Sequence, residues 1–326
     1  MPLRSVPTSA ASDDAVSDAL DRRIGTIAGI AAYGIWGLFP LVFHRLRSVG
    51  AVEVLFHRVL WSFVVVVALL VAQGDRHWFA RVRSKPGALA LSSAAGVLIA
   101  TNWLVYIWAV NHDHVVEAAL GYYINPLITV ALGVVVYHER LRRLQVVAFG
   151  FGVVAVVVLT IAYRRVPWIA LVLALSFAGY GFIKKGVAVG AAASLAIETA
   201  VLLPVAVLGL VVMEIRGDAA FGHGSGGRDV LLVALGVITA GPLLLFGVAA
   251  RRIPLSLLGL FQYLTPSLQL VCGVAVLGES LSPGRLAGFI LVWVALVLLA
   301  ADALGAFRRH TNSPHAMAPD KQYRCS

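Results

Sequence analysis

The chain has 326 residues, of which 60% are hydrophobic and only 13% are charged, and its mean hydropathy is +0.89. A soluble domain is about 45–50% apolar and about 25% charged, and it still exposes about a quarter of its unfolded surface, so a water-soluble globule is excluded. The net charge of +10 would suggest nucleic acid as the partner of a soluble protein, but the basic residues lie in short loops and tails, and no nucleic-acid partner is expected.

Ten apolar segments are each long enough to cross a bilayer as a helix, which needs about 20 mostly apolar residues. They lack the alternation of membrane strands, so the predicted fold class is an all-α integral membrane protein with ten transmembrane helices. The predicted spans are 24–43, 52–72, 87–110, 115–137, 144–162, 167–184, 191–213, 229–250, 254–277 and 284–305. Segments 1–23 and 306–326 are predicted to be polar tails, and the Gly-rich segment 214–228 is predicted to be a flexible connector.

The distribution of positive charge predicts the orientation. If the N-terminus lies inside, eighteen Lys and Arg residues fall in inside loops and tails and seven in outside loops, and only Arg58 lies within a span. Cytoplasmic loops carry the excess of Lys and Arg, so both termini are predicted to be cytoplasmic. The first apolar segment is interpreted as a retained helix, because no cleavage pattern follows it.

The two halves of the chain are similar at a constant offset of 140 residues. The pairs that carry this offset include Tyr123 with Tyr263, Pro126 with Pro266, Gly133 with Gly273, and Glu139 with Glu279. We interpret the offset as a duplication, with a first five-helix repeat at 24–163 and a second at 164–305. Because each repeat has an odd number of spans, the two copies must cross the membrane in opposite directions, as in the inverted repeats of many secondary transporters. Such a pair has two nearly equivalent arrangements, which is the basis of alternating access.

Charged side chains inside a span cost about 2.5–3.5 kcal/mol each, so their presence needs a reason. Arg58 is predicted to face the bundle interior and to pair with Glu117 or Glu53; the alternative is that its long side chain extends to the lipid headgroups. His57 is either a hydrogen-bonding residue between packed helices or a functional residue. The polar residues predicted to line one outward vestibule are Glu53, His57, Arg58, Asn102, Tyr106 and Glu117.

Two polar stripes occupy equivalent positions of the two repeats. Tyr122, Asn125 and Thr129 share one face of the fourth span, and the offset of 140 places Gln262, Thr265 and Gln269 on the ninth. The recurrence predicts that both faces meet a central cavity near the midplane. The alternative is that the stripes form hydrogen bonds between packed helices.

Three further residues within the spans are candidates for function. Pro126 and Pro266 each remove one backbone hydrogen bond, which permits either a hinge or a static kink. Glu198 occupies the position equivalent to Arg58, and it is a candidate proton or cation site or, alternatively, the partner of a Lys or Arg in an inner loop.

No motif for catalysis or for a cofactor is found. The sequence lacks a phosphate-binding loop, an HExxH motif and a nucleophile elbow, and its two cysteines form no metal-binding or disulfide pattern. No catalytic residue, metal or cofactor is therefore expected. An integral membrane enzyme acting on lipid-linked substrates could use only Glu53, His57 and Glu117. A channel is disfavoured because the mixed polar lining lacks rings of like charge.

Three stretches carry a resemblance to a known family: YGIWGLFP at 33–40, NWLVYIWAVN at 102–111 and EAALGYYINPL at 117–127. Together with His57 and Arg58 they resemble the RarD group of the EamA-type drug/metabolite transporter superfamily, over about residues 24–305. The resemblance implies two inverted EamA repeats in a bacterial inner membrane and a permease often labelled chloramphenicol-sensitive. The matched polar positions are Asn102, Tyr106, Glu117, Tyr122 and Asn125.

The resulting prediction is a secondary transporter that exports a small polar or amphipathic metabolite or drug. Its expected surroundings are the lipid bilayer and a small-molecule substrate. Protons, as a coupling ion, and a second copy of the chain are further partners that the sequence leaves open.

Overall fold

The computed structural model describes residues 9–75, 77–84, 87–138, 140–186 and 190–311, and every regular element in these ranges is helical. The helices are α1 (Ser9–Gly37), α2 (Phe39–Arg45), α3 (Ala51–Ala72), α4 (Trp78–Arg83), α5 (Ala88–Asn111), α6 (Val115–Tyr137), α7 (Arg143–Tyr163), α8 (Trp168–Gly186), α9 (Ala191–Arg216), α10 (Gly226–Ala250), α11 (Leu255–Phe261), α12 (Leu264–Val271) with a π-helical turn at Cys272–Val276, and α13 (Pro283–Thr311).

Nine helical stretches within the described ranges are long and apolar enough to cross a membrane. The remaining predicted span, 167–184, is α8, whose apolar stretch Trp168–Lys184 is shorter than the other nine. The prediction of an all-helical membrane protein is therefore confirmed, with nine to ten candidate transmembrane helices.

Two predicted spans are interrupted near a proline. Pro40 has no N–H to donate to the carbonyl of Trp36, and the first span divides into α1 and α2 around Leu38. Pro266 likewise leaves the carbonyl of Gln262 without its helical partner, and the ninth span divides into α11 and α12. These carbonyls are available to side chains of neighbouring helices.

The first and last helices extend into the segments predicted as tails. Helix α1 begins at Ser9, in a stretch rich in alanine, which has the highest helix propensity. Helix α13 continues to Thr311.

The helical contacts divide the chain into two units. The first comprises Met1–Thr129 and Pro167–Leu281, and the second comprises Val130–Val166 and Ser282–Ser326. Within the first unit, α3 packs on α9 and α10, α5 packs on α8 and α9, and α1 packs on α10 and α12. Within the second unit, α7 packs along α13.

Two glycines of the first unit lie at close helix crossings. A Cβ atom on Gly236 of α10 would lie 2.6 Å from the carbonyl carbon of Trp61 in α3. A Cβ atom on Gly96 of α5 would lie 3.0 Å from the carbonyl oxygen of Glu198 in α9. The α3–α10 crossing therefore needs a residue without a side chain at Gly236, and the α5–α9 crossing leaves little room for one at Gly96, as is common where membrane helices approach closely.

Candidate functional site

Arg58 lies in the interior of the first unit. Its side chain is 4% exposed, so the alternative in which it extends to the surface does not hold. Its Nε donates a 3.1 Å hydrogen bond to Oγ1 of Thr239 on α10. Within the described residues this is its one hydrogen bond, and Arg58 forms no ion pair there.

Aromatic rings surround the Arg58 guanidinium. Its Cζ lies 4.0 Å from the centre of the Trp103 ring and 5.4 Å from the centres of the Phe39 and Phe43 rings. Ring faces carry negative partial charge and attract a cation, most strongly in a desolvated setting. The rings stabilise the positive charge without neutralising it.

The expected partners of Arg58 are used elsewhere, and the prediction that it pairs with Glu117 or Glu53 is wrong. Oε1 of Glu117 accepts a 3.3 Å hydrogen bond from the N–H of Ile169 in the first turn of α8. Oε1 of Glu53 accepts hydrogen bonds of 2.8 and 3.0 Å from the N–H groups of Ala220 and Phe221. Each carboxylate satisfies backbone donors at a helix start or in a loop, which otherwise lack partners.

Glu279 makes the most complete contact of this type. Its Oε1 accepts a 2.5 Å hydrogen bond from the N–H of Val115, and its Oε2 accepts a 2.9 Å bond from the N–H of Val116. Gly278, with φ of +74°, turns the chain just before Glu279. We call this pair of bonds the Glu279 cap; it joins the end of the ninth predicted span to the N-terminus of α6.

Asn102 joins three helices. Its Nδ2 donates hydrogen bonds of 3.1 Å to the carbonyl of Leu173 and to Oγ of Ser176, both on α8. Its Oδ1 accepts a 2.9 Å bond from the hydroxyl of Tyr122 on α6. Asn102 is 1% exposed, and its hydrogen bonds hold α5 against α8 and α6.

Tyr106 lies one turn further along α5 and differs from Asn102. It is 2% exposed, and its hydroxyl has no hydrogen-bond partner in the described part of the chain. Its ring centre lies 5.9 Å from that of Phe43 and 5.8 Å from that of Tyr122. Because Phe43 also contacts Arg58, the unpartnered hydroxyl and the unpaired guanidinium belong to one cluster.

His57 lies beside Arg58 in the chain but outside this cluster. Its Nδ1 accepts a 3.3 Å hydrogen bond from Nε1 of Trp61, and its ring centre lies 4.7 Å from that of Phe221. The loop that contains Phe221 is held by Glu53, and the Asp229 carboxylate accepts a 3.1 Å bond from the N–H of Gly222. The loop predicted to be a flexible connector is therefore fixed by hydrogen bonds.

Glu198 is fully buried and paired. Its Oε1 lies 2.6 Å from Nζ of Lys184 and accepts a 2.6 Å bond from Oγ of Ser194. Its Oε2 accepts a 3.2 Å bond from the hydroxyl of Tyr180. Of the two roles left open by the sequence, the pairing with a Lys is the one found in this structure, although Lys184 lies near the end of α8 and not in a loop.

The two polar stripes differ in their surroundings. Thr129 is exposed and bonds back to the carbonyl of Asn125, whose Oδ1 is buried without a partner in the described residues. Gln269 is 2% exposed, and its Nε2 lies 3.4 Å from the carbonyl of Trp36, which Pro40 leaves free. Thr265 donates a 2.9 Å bond to the carbonyl of Tyr33.

The remaining predicted positions lie at a helix break, within α6 and at the start of α12. Gln262 is half-buried at the break between α11 and α12, just before Pro266. Pro126 lies inside the unbroken α6. A further contact, of 2.7 Å, joins the hydroxyl of Tyr123 to Oγ of Ser267 on α12.

Sequence reasoning missed Thr239 and the Glu279 cap. Thr239 has no polar counterpart at the 140-residue offset, so no signal pointed to it. Glu279 does recur in the first half as Glu139, and this recurrence was a signal whose role became evident only from the contact with α6.

Comparisons with known proteins agree with the helical fold. A model of the EamA-like transporter family matches residues 23–161. Protein RarD of Streptomyces exfoliatus is 48% identical over 92% of this chain and 95% of its own length, and protein RarD of Escherichia coli is 39% identical over 90% and 99%. YojE of Bacillus subtilis, named an uncharacterized transporter, is 40% identical over 85% of this chain and 94% of its own length. One solved crystal structure, 20% identical, shares the fold with a TM-score of 0.57 over 86% of this chain and 98% of its own.

The apolar helices and these relatives define a multi-pass membrane transporter. The chain belongs to the RarD group of the EamA-like transporter family. It is a transporter and not an enzyme, so Glu53, His57 and Glu117 are not the active site of an enzyme that acts on lipid-linked substrates.

Proposed function

We propose that the chain is a secondary transporter that moves a small polar or amphipathic metabolite or drug by alternating access. The observation that carries the proposal is that buried and partly buried polar contacts join helices from the two sequence halves. These contacts are Arg58 with Thr239, Tyr123 with Ser267, and Thr265 with the carbonyl of Tyr33. Polar groups at helix contacts in lipid are costly unless satisfied, and they mark the surfaces that enclose a solute.

The proposed architecture is a pair of inverted repeats at 24–163 and 164–305. The helix pairs support it. Helix α1 of the first repeat packs on α10 of the second, and their equivalents at the 140-residue offset, α8 of the second repeat and α5 of the first, also pack together. The family model, which covers 23–161, nearly coincides with the proposed first repeat.

The two copies differ in conformation, as alternating access requires. The helix is unbroken at Pro126 and divided near Pro266. Thr129 is exposed, whereas its counterpart Gln269 is buried. Inverted repeats reach two states by exchanging the conformations of the two copies, so these differences support one member of such a pair.

We further propose that the Glu279 cap closes the outer side in this state. The cap holds the ninth span against the start of α6, and with the N-terminus inside both lie at the outer surface. A carboxylate at a helix N-terminus is stabilised by about 0.3–1 kcal/mol, and by up to about 2 kcal/mol when partly buried. This is small enough for the closure to be reversible.

The remaining parts of the proposal concern direction and coupling. Both termini are proposed to be cytoplasmic, and transport is proposed to be export coupled to protons. Glu198 is the proposed coupling residue, because a carboxylate held by Lys184 can exchange that cation for a proton. A homodimer stays a prediction.

The test is a solute screen in proteoliposomes, with and without a pH gradient, together with counterflow. Saturable counterflow of at least one solute is expected, and the gradient should increase it in wild type but not in Glu198→Gln. Arg58→Ala should abolish the flux while the protein still inserts; normal flux in that variant would remove Arg58 from the pathway but would not contradict a transporter. Non-saturable flux without counterflow would instead indicate a channel and would contradict the proposal.

A further inference from the structure

We propose that Arg58 and Tyr106 together bind the carboxylate of the transported molecule, and that the substrate is therefore an amphipathic organic monoanion. The inference rests on the proposed function, because it assigns the substrate class of that same transporter.

The first step is the unbalanced charge of Arg58. A buried guanidinium is expected to be paired, since burial of a lone charge is unfavourable. Arg58 is 4% exposed, yet within the described ranges the carboxylates of Glu53 and Glu117 accept bonds from backbone groups instead. The protein thus holds one positive charge in its interior that an anion could balance.

The second step is the set of donors that remains. Thr239 accepts the bond from Nε, and across the described residues no acceptor is assigned to the two terminal nitrogens of Arg58. These nitrogens form the planar fork that binds a carboxylate through two parallel hydrogen bonds. The buried hydroxyl of Tyr106 adds a third donor without a partner.

The third step is the chemistry of the surroundings. Phe39, Phe43 and Trp103 line the guanidinium, and Tyr122 adds a ring beside Tyr106. Aromatic walls with a few polar groups suit a ligand that has an apolar body and one polar end. A single cation balances a carboxylate, whereas a phosphate monoester carries about −1.5 to −2 charge and would remain partly uncompensated.

The test compares three probes that share one skeleton and differ in charge: 3-phenylpropionate, 3-phenylpropionamide and 3-phenylpropylamine. Thermal unfolding of the purified full chain in detergent is measured against the concentration of each probe. The carboxylate should raise the unfolding temperature, and the amide and the amine should not. Equal stabilisation by the amide, or none by the carboxylate, would overturn the proposal.

Variants assign the response to the proposed residues. Arg58→Met should abolish the shift, and Arg58→Lys should retain part of it, because lysine keeps the charge but not the planar fork. Tyr106→Phe should raise the midpoint concentration about tenfold, as expected for the loss of one hydrogen bond to a charged group. If Arg58→Met does not fold, Arg58→Lys and Tyr106→Phe carry the test.

The matched control is Arg285→Met. The Cζ of Arg285 lies 4.4 Å from the ring centre of Tyr163 in the second unit, so this variant also removes an arginine from an aromatic ring. Its response to 3-phenylpropionate should equal that of wild type. An equal loss in both variants would show a general effect of removing an arginine and would overturn the assignment.

A transport assay distinguishes failure of the anion site from failure of the proposed transporter function. In proteoliposomes, wild type should exchange radiolabelled 3-phenylpropionate and Arg58→Met should not. Saturable exchange of only neutral or cationic solutes, unchanged in Arg58→Met, would overturn the anion site and leave the transporter proposal intact. Failure of every solute to exchange would count against the proposed function itself.

Discussion

Tyr106 and Tyr122 lie side by side, yet only the hydroxyl of Tyr122 is hydrogen-bonded in the described structure. Loss of a buried hydrogen bond costs about 1 kcal/mol, whereas loss of an unsatisfied hydroxyl is neutral or stabilising. Tyr122→Phe should therefore lower the free energy of unfolding by about 1 kcal/mol, and Tyr106→Phe should leave it unchanged or raise it. Chemical denaturation in detergent micelles measures both, and a larger loss in Tyr106→Phe would contradict the assignment of its hydroxyl as unpartnered.

The ion pair between the half-buried Lys184 and the fully buried Glu198 predicts a large loss of stability that a second substitution corrects. Removing one partner of a buried ion pair costs about 3–5 kcal/mol, because the other charge is left uncompensated. Lys184→Met should therefore be strongly destabilised. The double variant Lys184→Met/Glu198→Gln should recover most of the loss, since no charge remains buried and the new amide at position 198 can accept a bond from Ser194 and donate one to the Tyr180 hydroxyl. A double variant no more stable than Lys184→Met would show that the charge is not the cause.

The polarity of single residues predicted most of the buried positions but not their partners. Arg58, Asn102 and Glu117 are all interior, as their presence in apolar spans required. The predicted pairing of Arg58 failed because helix N-termini compete for carboxylates, and Glu117 binds the start of α8 instead. Which helix end arrives beside which carboxylate depends on tertiary packing, and no local pattern encodes it.

At the scale of elements, the contact between α3 and α10 depends on a glycine, Gly236, at the crossing. A methyl group at Gly236 would overlap the backbone at Trp61, whereas one at Gly241 of the same helix would meet no atom within 4 Å. Gly236→Ala should lower stability by about 1–3 kcal/mol through overpacking. Gly241→Ala should be neutral or stabilise by up to about 1 kcal/mol through helix propensity. Thermal unfolding of the two variants in one detergent makes the comparison, and equal effects would refute the close contact.

Hydropathy predicted the helices well because a chain in lipid must satisfy its backbone hydrogen bonds within each span. It did not predict the breaks near Pro40 and Pro266. A proline inside α6 leaves that helix unbroken, so proline alone does not decide the outcome. The break before Pro40 coincides with a donor from another helix, Gln269, at the carbonyl of Trp36. Only the packed structure shows whether such a donor is present.

At the scale of the whole molecule, the Glu279 cap predicts a shift between conformations. Glu279→Gln weakens a charge-assisted cap by about 1 kcal/mol, which changes a two-state population about fivefold. In a background without native cysteines, Thr129→Cys should react with a water-soluble thiol reagent and Gln269→Cys should react slowly. Glu279→Gln should increase the reaction of Gln269→Cys severalfold.

The control for this experiment is Glu214→Gln, because Glu214 is exposed and its side chain pairs with the exposed residue His223. This variant should leave the reaction rate of Gln269→Cys unchanged. The same increase in both variants would remove the cap from the conformational equilibrium, and no reaction at Thr129 or Gln269 in any variant would argue against a solute cavity between the stripes.

The short apolar stretch of α8 has a consequence for the surrounding lipid. Seventeen helical residues, Trp168–Lys184, extend about 26 Å, while the hydrocarbon core of a typical bilayer is about 30 Å thick. Leu175 of α8 is 56% exposed, as expected of a side chain that faces acyl chains. Hydrophobic mismatch of this size thins the adjacent leaflet at a cost of fractions of a kcal/mol per Å. The stability of the protein in the bilayer therefore depends on the acyl-chain length of the lipids, and short-chain lipids should accumulate beside α8.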